Sequence, residues 1–91
     1  MTADRDALKR EAAMAAVAMV EDGMVVGLGT GSTAAFAIDG LIARVRDGLR
    51  IVGIPTSERS AKQAREGGLE LTDFATHPTV DLTIDGADEI A

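Results

Sequence analysis

The spacing of apolar residues along this chain changes several times, and each change marks an element. From about Asp4 to Glu21 the pattern is helical, with Asp4 placed as an N-cap and Asp22-Gly23 as the stop. The middle of that run, Ala12 to Val20, is apolar nearly all round, which predicts a helix covered on more than one side. Met24 to Leu28 is a continuous apolar run, as expected of a strand buried on both faces. Helical spacing returns from about Ser32 to Arg46, where Ala34, Ile38, Leu41 and Val45 share a face and Gly48 stands at the C′ position. Gly40 inside that helix costs roughly 1 kcal/mol relative to alanine.

Arg50 to Ile54 reads as a second strand stopped by Pro55, and Thr56 or Ser57 can cap a helix over Glu58 to Glu66, which Gly67-Gly68 ends. Leu69 to Leu71 is a short third strand, Asp73 to Thr79 a loop, and Val80 to Ile84 a fourth strand. Strands separated by helices predict an α/β fold: a three-layer, Rossmann-like, mostly parallel sheet with flanking helices and right-handed crossovers. In such sheets ligands bind at the carboxyl ends of the strands. The sequence stops just past its fourth strand, where a covered sheet would ordinarily continue. Residues 1–91 are therefore expected to be the N-terminal part of a single α/β domain, incomplete in this chain.

Composition narrows the chemistry. Hydrophobic residues make up 46% of the 91 positions with only two aromatics, so the core is built from small and branched aliphatics and the chain is not a disordered tail. Nine Lys and Arg against fifteen Asp and Glu give a net charge of -6, which argues against a nucleic-acid partner and requires any anion to be held by local geometry. Without cysteine there is no disulfide, thiolate chemistry or cysteine-ligated metal, and a reducing cytoplasm is compatible. The run Ala12 to Val20 is too short to span a bilayer, and Asp4, Asp6 and Glu11 before it are not the leader of a signal peptide.

Two stretches stand out at the carboxyl edge of the expected sheet. Gly27-Leu28-Gly29-Thr30-Gly31-Ser32-Thr33 joins a strand to a helix through glycines that permit close backbone approach, with Thr30, Ser32 and Thr33 able to cap the helix or bind phosphate oxygens. It satisfies a loose dinucleotide fingerprint, yet the second strand ends Ile54-Pro55-Thr56 without the carboxylate that would hold a ribose, and no Gly-Lys-Ser/Thr ending makes it a P-loop. A small phosphate monoester fits better. Asp85-Gly86-Ala87-Asp88-Glu89 follows the fourth strand. Its crowded carboxylates raise at least one pKa and can exchange protons with sugar hydroxyls, whereas alone they could equally start a helix. Thr56-Ser57 reads chiefly as a cap, His77 as a solvated loop residue, and Lys9 as a surface lysine that could reach the anion.

In order and over nearly the whole chain, Val26-Gly27-Leu28-Gly29-Thr30-Gly31-Ser32-Thr33-Ala34, Gly53-Ile54-Pro55-Thr56-Ser57 and Asp81-Leu82-Thr83-Ile84-Asp85-Gly86-Ala87-Asp88-Glu89-Ile90 resemble the N-terminal half of ribose-5-phosphate isomerase, type A. The resemblance implies a cofactor-free aldose-ketose isomerase of the pentose phosphate pathway that interconverts ribose 5-phosphate and ribulose 5-phosphate through an enediolate. It also implies a cytoplasmic homo-oligomer, dimer or tetramer, with no metal and no membrane partner. Thr30, Gly31, Ser32 and Thr33 then form the substrate-binding turn, with Ser32 and Thr33 near the phosphate and Lys9 assisting. Asp85 and Asp88 are the catalytic carboxylates of the acidic loop, with Gly86 and Ala87 between them lining the substrate. In the family a Lys-Gly-Gly-Gly turn and a proton-transferring glutamate follow that loop, and this sequence ends at Ala91 before either. The segment alone is therefore expected to be nearly inactive. The rival readings are a non-catalytic sugar-phosphate sensor of the same fold and, behind it, a dinucleotide-binding domain.

Overall fold

The computed structural model describes residues 2–84. Its elements run α1 (Thr2–Ala18), β1 (Val25–Leu28), α2 (Ser32–Arg46), β2 (Val52–Pro55), α3 (Glu58–Glu66), β3 (Glu70–Leu71) and β4 (Leu82–Ile84). The four strands form one sheet in the order β3-β2-β1-β4, and every pairing is parallel.

The register decides what the sheet buries. Val26 stands opposite Gly53 on one side and Leu82 on the other, and Leu28 stands between Pro55 and Ile84. Period two puts all six on one face. Val26, Leu28 and Ile84 pack there with Ile38 and Leu41 of α2, Ala64 of α3 and Val17 of α1, so all three helices feed a single core. Leu28, Ile38 and Leu41 are almost wholly removed from water, each contributing on the order of 1.5–3 kcal/mol by burial. Gly53 makes room for this packing, since a Cβ at that position would come within 2.8 Å of Leu28 Cδ1. Val25 and Ile54 belong to the opposite face and are buried outside this cluster.

The bounds of α2 and α3 match the sequence reading, and other elements shift. The first helix starts at Thr2, which places Asp4 inside the first turn rather than at its cap. It ends at Ala18 instead of near Glu21, where the chain tightens into i→i+3 bonds from the Met19 N–H to the Ala16 carbonyl and from the Val20 N–H to the Val17 carbonyl, both 3.1 Å. The Arg44 Nη1 donates to the carbonyls of Val17 at 2.7 Å and Val20 at 2.8 Å, and so fastens the end of α1 and the turn after it to α2. Nor is α1 covered all round. Ala13 and Val17 are buried while Leu8 and Met14 are exposed. Gly40, a cost to α2 in isolation, is where α1 crosses, because a Cβ there would lie 2.9 Å from Met14 Cε and 3.1 Å from Val17 Cγ2. The second strand extends through Pro55, and the fourth begins only at Leu82, with Asp81 fixed just before it. The Asp81 N–H donates to the Val25 carbonyl, and its carboxylate accepts from the Val25 N–H at 2.8 Å.

Candidate functional site

The chain leaves β1 toward β2 on one side and returns to β4 on the other, so the strand order reverses at β1. That reversal opens a crevice at the carboxyl ends of β1 and β4, the usual ligand position in open α/β sheets. The glycine-rich turn lies there. Gly29 is buried, and its N–H donates to the Ile84 carbonyl at 2.7 Å, which ties the turn to the end of β4.

Gly31 is the N-cap of α2, with φ 97 and ψ 171, a conformation essentially confined to glycine. Among the described residues no side chain caps the helix. The hydroxyls of Thr30, Ser32 and Thr33 therefore do not spend themselves on its end, and the first-turn N–H groups, which have no intrahelical acceptor, remain free to meet an anion. Thr30 and Ser32 are exposed at the mouth of the turn. Thr33 is 3% exposed, and its Oγ1 has no hydrogen-bond partner among the described residues. An unpaired buried hydroxyl costs about 1–3 kcal/mol, so a fold that keeps one calls for an explanation.

A cleft of about 550 Å³ opens from the turn between the first turns of α2 and α3, lined in part by Thr30, Gly31, Ser32, Phe36, Arg59 and Ser60. Arg59 is its one basic lining residue among those described, and the sequence reading passed over it. The available signal was its place two residues past the Ser57 cap, at the same sheet edge as the glycine turn. Lys9 is half-buried on α1 and does not line this cleft. Its neighbour Arg10 does approach, with its guanidinium 5.1 Å from the centre of the Phe36 ring, a cation–π contact.

The segment after β2 has two tasks. Ser57 caps α3 by accepting from the Ser60 N–H at 3.2 Å, as its sequence position predicts. Thr56 turns the other way, and its N–H and its hydroxyl both donate to the Leu28 carbonyl at 3.0 Å. No carboxylate ends β2, so the ribose-binding feature of a dinucleotide site is missing from the structure as well. His77 is half-buried rather than fully solvated, with Nδ1 2.9 Å from the Thr72 hydroxyl.

Asp85, Gly86, Ala87 and Asp88 lie outside the described residues; in sequence they follow directly on Ile84, whose carbonyl Gly29 holds. Among the described residues no group of three or more His, Cys, Asp or Glu could hold a metal ion, and no helix is long and apolar enough to cross a membrane. A second depression, of about 520 Å³, sits at the opposite edge of the sheet beside Val25, Val52 and His77, away from the turn.

Comparison with known proteins adds a family. Residues 52–91 match the family model described as ribose 5-phosphate isomerase A (phosphoriboisomerase A). Ribose-5-phosphate isomerase A of Gloeobacter violaceus is 66% identical over 88 residues, covering 97% of this chain and 38% of that protein. The enzyme of the same name from Methanoregula boonei is 57% identical over 83 residues, 91% of this chain and 35% of that protein. Among solved structures, ribose 5-phosphate isomerase A from Methanocaldococcus jannaschii superposes with a TM-score of 0.84 at 45% identity, covering 89% of this chain and 36% of that one. A D-ribose-5-phosphate isomerase in complex with phospho-erythronic acid gives 0.83 at 39% identity, over 88% of this chain and 36% of that one. The chain thus spans well under half the length of these relatives.

Proposed function

The chain belongs to the ribose-5-phosphate isomerase A family over the stretch it shares with these relatives, and from that premise we propose that it forms the phosphosugar-anchoring part of an aldose-ketose isomerase. Its substrate pair is ribose 5-phosphate and ribulose 5-phosphate. The observation that carries this reading is the helix start at Gly31, which has no side-chain cap among the described residues and stands beside the β1/β4 crevice. The N-terminal N–H groups of α2 and the Ser32 hydroxyl hold the phosphate, favoured by the helix dipole. Thr33 assists. In a chain of net charge -6 this local geometry, rather than a basic surface, attracts the substrate.

With the phosphate fixed, the sugar extends along the crevice toward the residues that follow Ile84. Asp85 and Asp88 act there on the hydroxyls, assisting ring opening and holding O1 and O2 with Gly86 and Ala87 alongside. Isomerisation removes the proton on C2 of the open-chain aldose to give the enediolate, and protonation of its O1 gives the enediol. Protonation at C1 and loss of the O2 proton then give the ketose. No redox partner is consumed. The protein works in the cytoplasm as a homo-oligomer.

Calorimetric titration tests the reading. Ribose 5-phosphate is expected to saturate the protein and NAD is not; the reverse outcome replaces the phosphosugar site with a dinucleotide site. Isomerase activity of the full product of its gene then separates an enzyme from a sensor, which would bind ribose 5-phosphate without turnover.

A further inference from the structure

We propose that Ser60 is a positioning residue for the anion turn, holding Gly29-Thr30-Gly31 in its binding shape from the neighbouring helix. Ser60 is on α3, 31 positions along the chain from Gly29, and is 5% exposed. Its hydroxyl donates to the Gly29 carbonyl at 2.7 Å. The Ser57 hydroxyl stands 3.2 Å from the same Oγ, so the cap of α3 and the brace on the turn share one hydrogen-bonded pair.

The brace is not isolated. Thr56 holds the preceding carbonyl, that of Leu28, through both its N–H and its hydroxyl. The Gly29 N–H is held from the other side by Ile84. Both polar groups of the Gly29 backbone are thus engaged, one by α3 and one by β4, two residues before Gly31 adopts its glycine-only conformation. Glycine by itself is the most freely moving residue in a chain. The turn therefore needs external bonds to hold its N–H groups toward one point in space, and preordering of this kind raises affinity by lowering the cost of binding. Ser60 lines the cleft but acts on the ligand through Gly29.

The affinity part of this inference rests on the phosphosugar reading, and the test separates the two. Amide hydrogen exchange at Gly29 is measured on the ligand-free protein, and ribose 5-phosphate affinity by titration, for wild type, Ser60→Ala and Ser60→Thr. Ser60→Ala is expected to speed Gly29 exchange at least about tenfold. It is also expected to weaken ribose 5-phosphate binding about five- to fiftyfold, the loss that follows from leaving a buried carbonyl unpaired. Ser60→Thr restores both, because the hydroxyl is retained. If Ser60→Ala does not fold, Ser60→Cys, near in size with a weak donor, is read in its place and should fall between. Unchanged exchange at Gly29 in the alanine variant, or failure of threonine to restore it, overturns the brace. A wild-type protein that ignores ribose 5-phosphate overturns the phosphosugar reading instead, and the Gly29 exchange rates still decide the brace.

Discussion

The Gly29 N–H donates to the Ile84 carbonyl across 2.7 Å, which joins the turn that opens α2 to the strand that leads into Asp85. The two stretches that carry the candidate chemistry are 56 positions apart in sequence, counted from Gly29 to Asp85, and parallel pairing of β1 with β4 sets Ile84, which Asp85 follows in sequence, at the same edge of the sheet as the turn.

Gly31 gives the sharpest handle on the anchor. Its φ of 97 with ψ of 171 is strained for any residue with a Cβ, at a cost of order 1–3 kcal/mol. Gly31→Ala is expected to lower the thermal midpoint and to weaken ribose 5-phosphate binding by at least about tenfold, because relieving the strain turns the α2 N–H groups away. Calorimetry and titration of the same sample check both effects. Normal affinity in a folded Gly31→Ala protein would show that the turn is not the anion site.

Arg44 tests how α1 is fastened. Its guanidinium serves the carbonyls of Val17 and Val20, and hydrogen bonds to charged groups contribute about 1.5–3 kcal/mol. Partial access to water reduces that figure. Arg44→Met, which keeps the aliphatic stem, is expected to cost about 1–3 kcal/mol in urea unfolding without altering ribose 5-phosphate affinity in the folded protein. A change below about 0.5 kcal/mol would mean that water replaces the guanidinium at no loss.

Asp73 supplies a pH signature. Hydrogen bonds from Thr76 hold its carboxyl below the ordinary aspartate value, and its Oδ1 accepts the Thr76 N–H at 2.9 Å. A carboxyl with a depressed folded-state pKa contributes stability that is present above the unfolded value and lost as pH falls through the lower folded one. The Asp73–His77 turn is therefore expected to loosen only in acid, below the normal carboxylate range. Carbon-detected NMR titration of the Asp73 carboxyl checks this, and a midpoint at or above the ordinary value contradicts it.

The 91 residues by themselves are expected to catalyse poorly. Removal of a general base ordinarily lowers a rate by about a hundred- to ten-thousandfold, and the family's Lys-Gly-Gly-Gly turn has no counterpart in this sequence. A coupled isomerase assay of the purified segment, set beside a longer relative, checks the expectation. Comparable rates would place the base within these residues.

Local sequence rules recovered α2 and α3 to the residue, because Gly31, Ser32 and Ser57 mark their starts and Gly48 and Gly67 their ends. The parallel sheet was equally legible, since helices stand between the first three strands. The end of α1 was not: Arg44 from another helix holds the Val17 and Val20 carbonyls there, and no local propensity encodes that contact. Its one-sided burial was missed for a related reason: an alanine-rich helix looks the same whether one face or several are covered. The site divides in the same way. The glycine turn declares itself through residue types at fixed spacing, whereas Arg59 and Ser60 join it only through the packing of α3 beside α2.

The most direct test of the central claim, that the α2 N-terminus holds a sugar phosphate, is an amide chemical-shift map recorded as ribose 5-phosphate is added. The account predicts saturable shifts concentrated at Thr30 to Ala34 and in the residues after Ile84, with none of that pattern on adding NAD. Shifts centred on the depression beside Val25, Val52 and His77, with the turn silent, would contradict it.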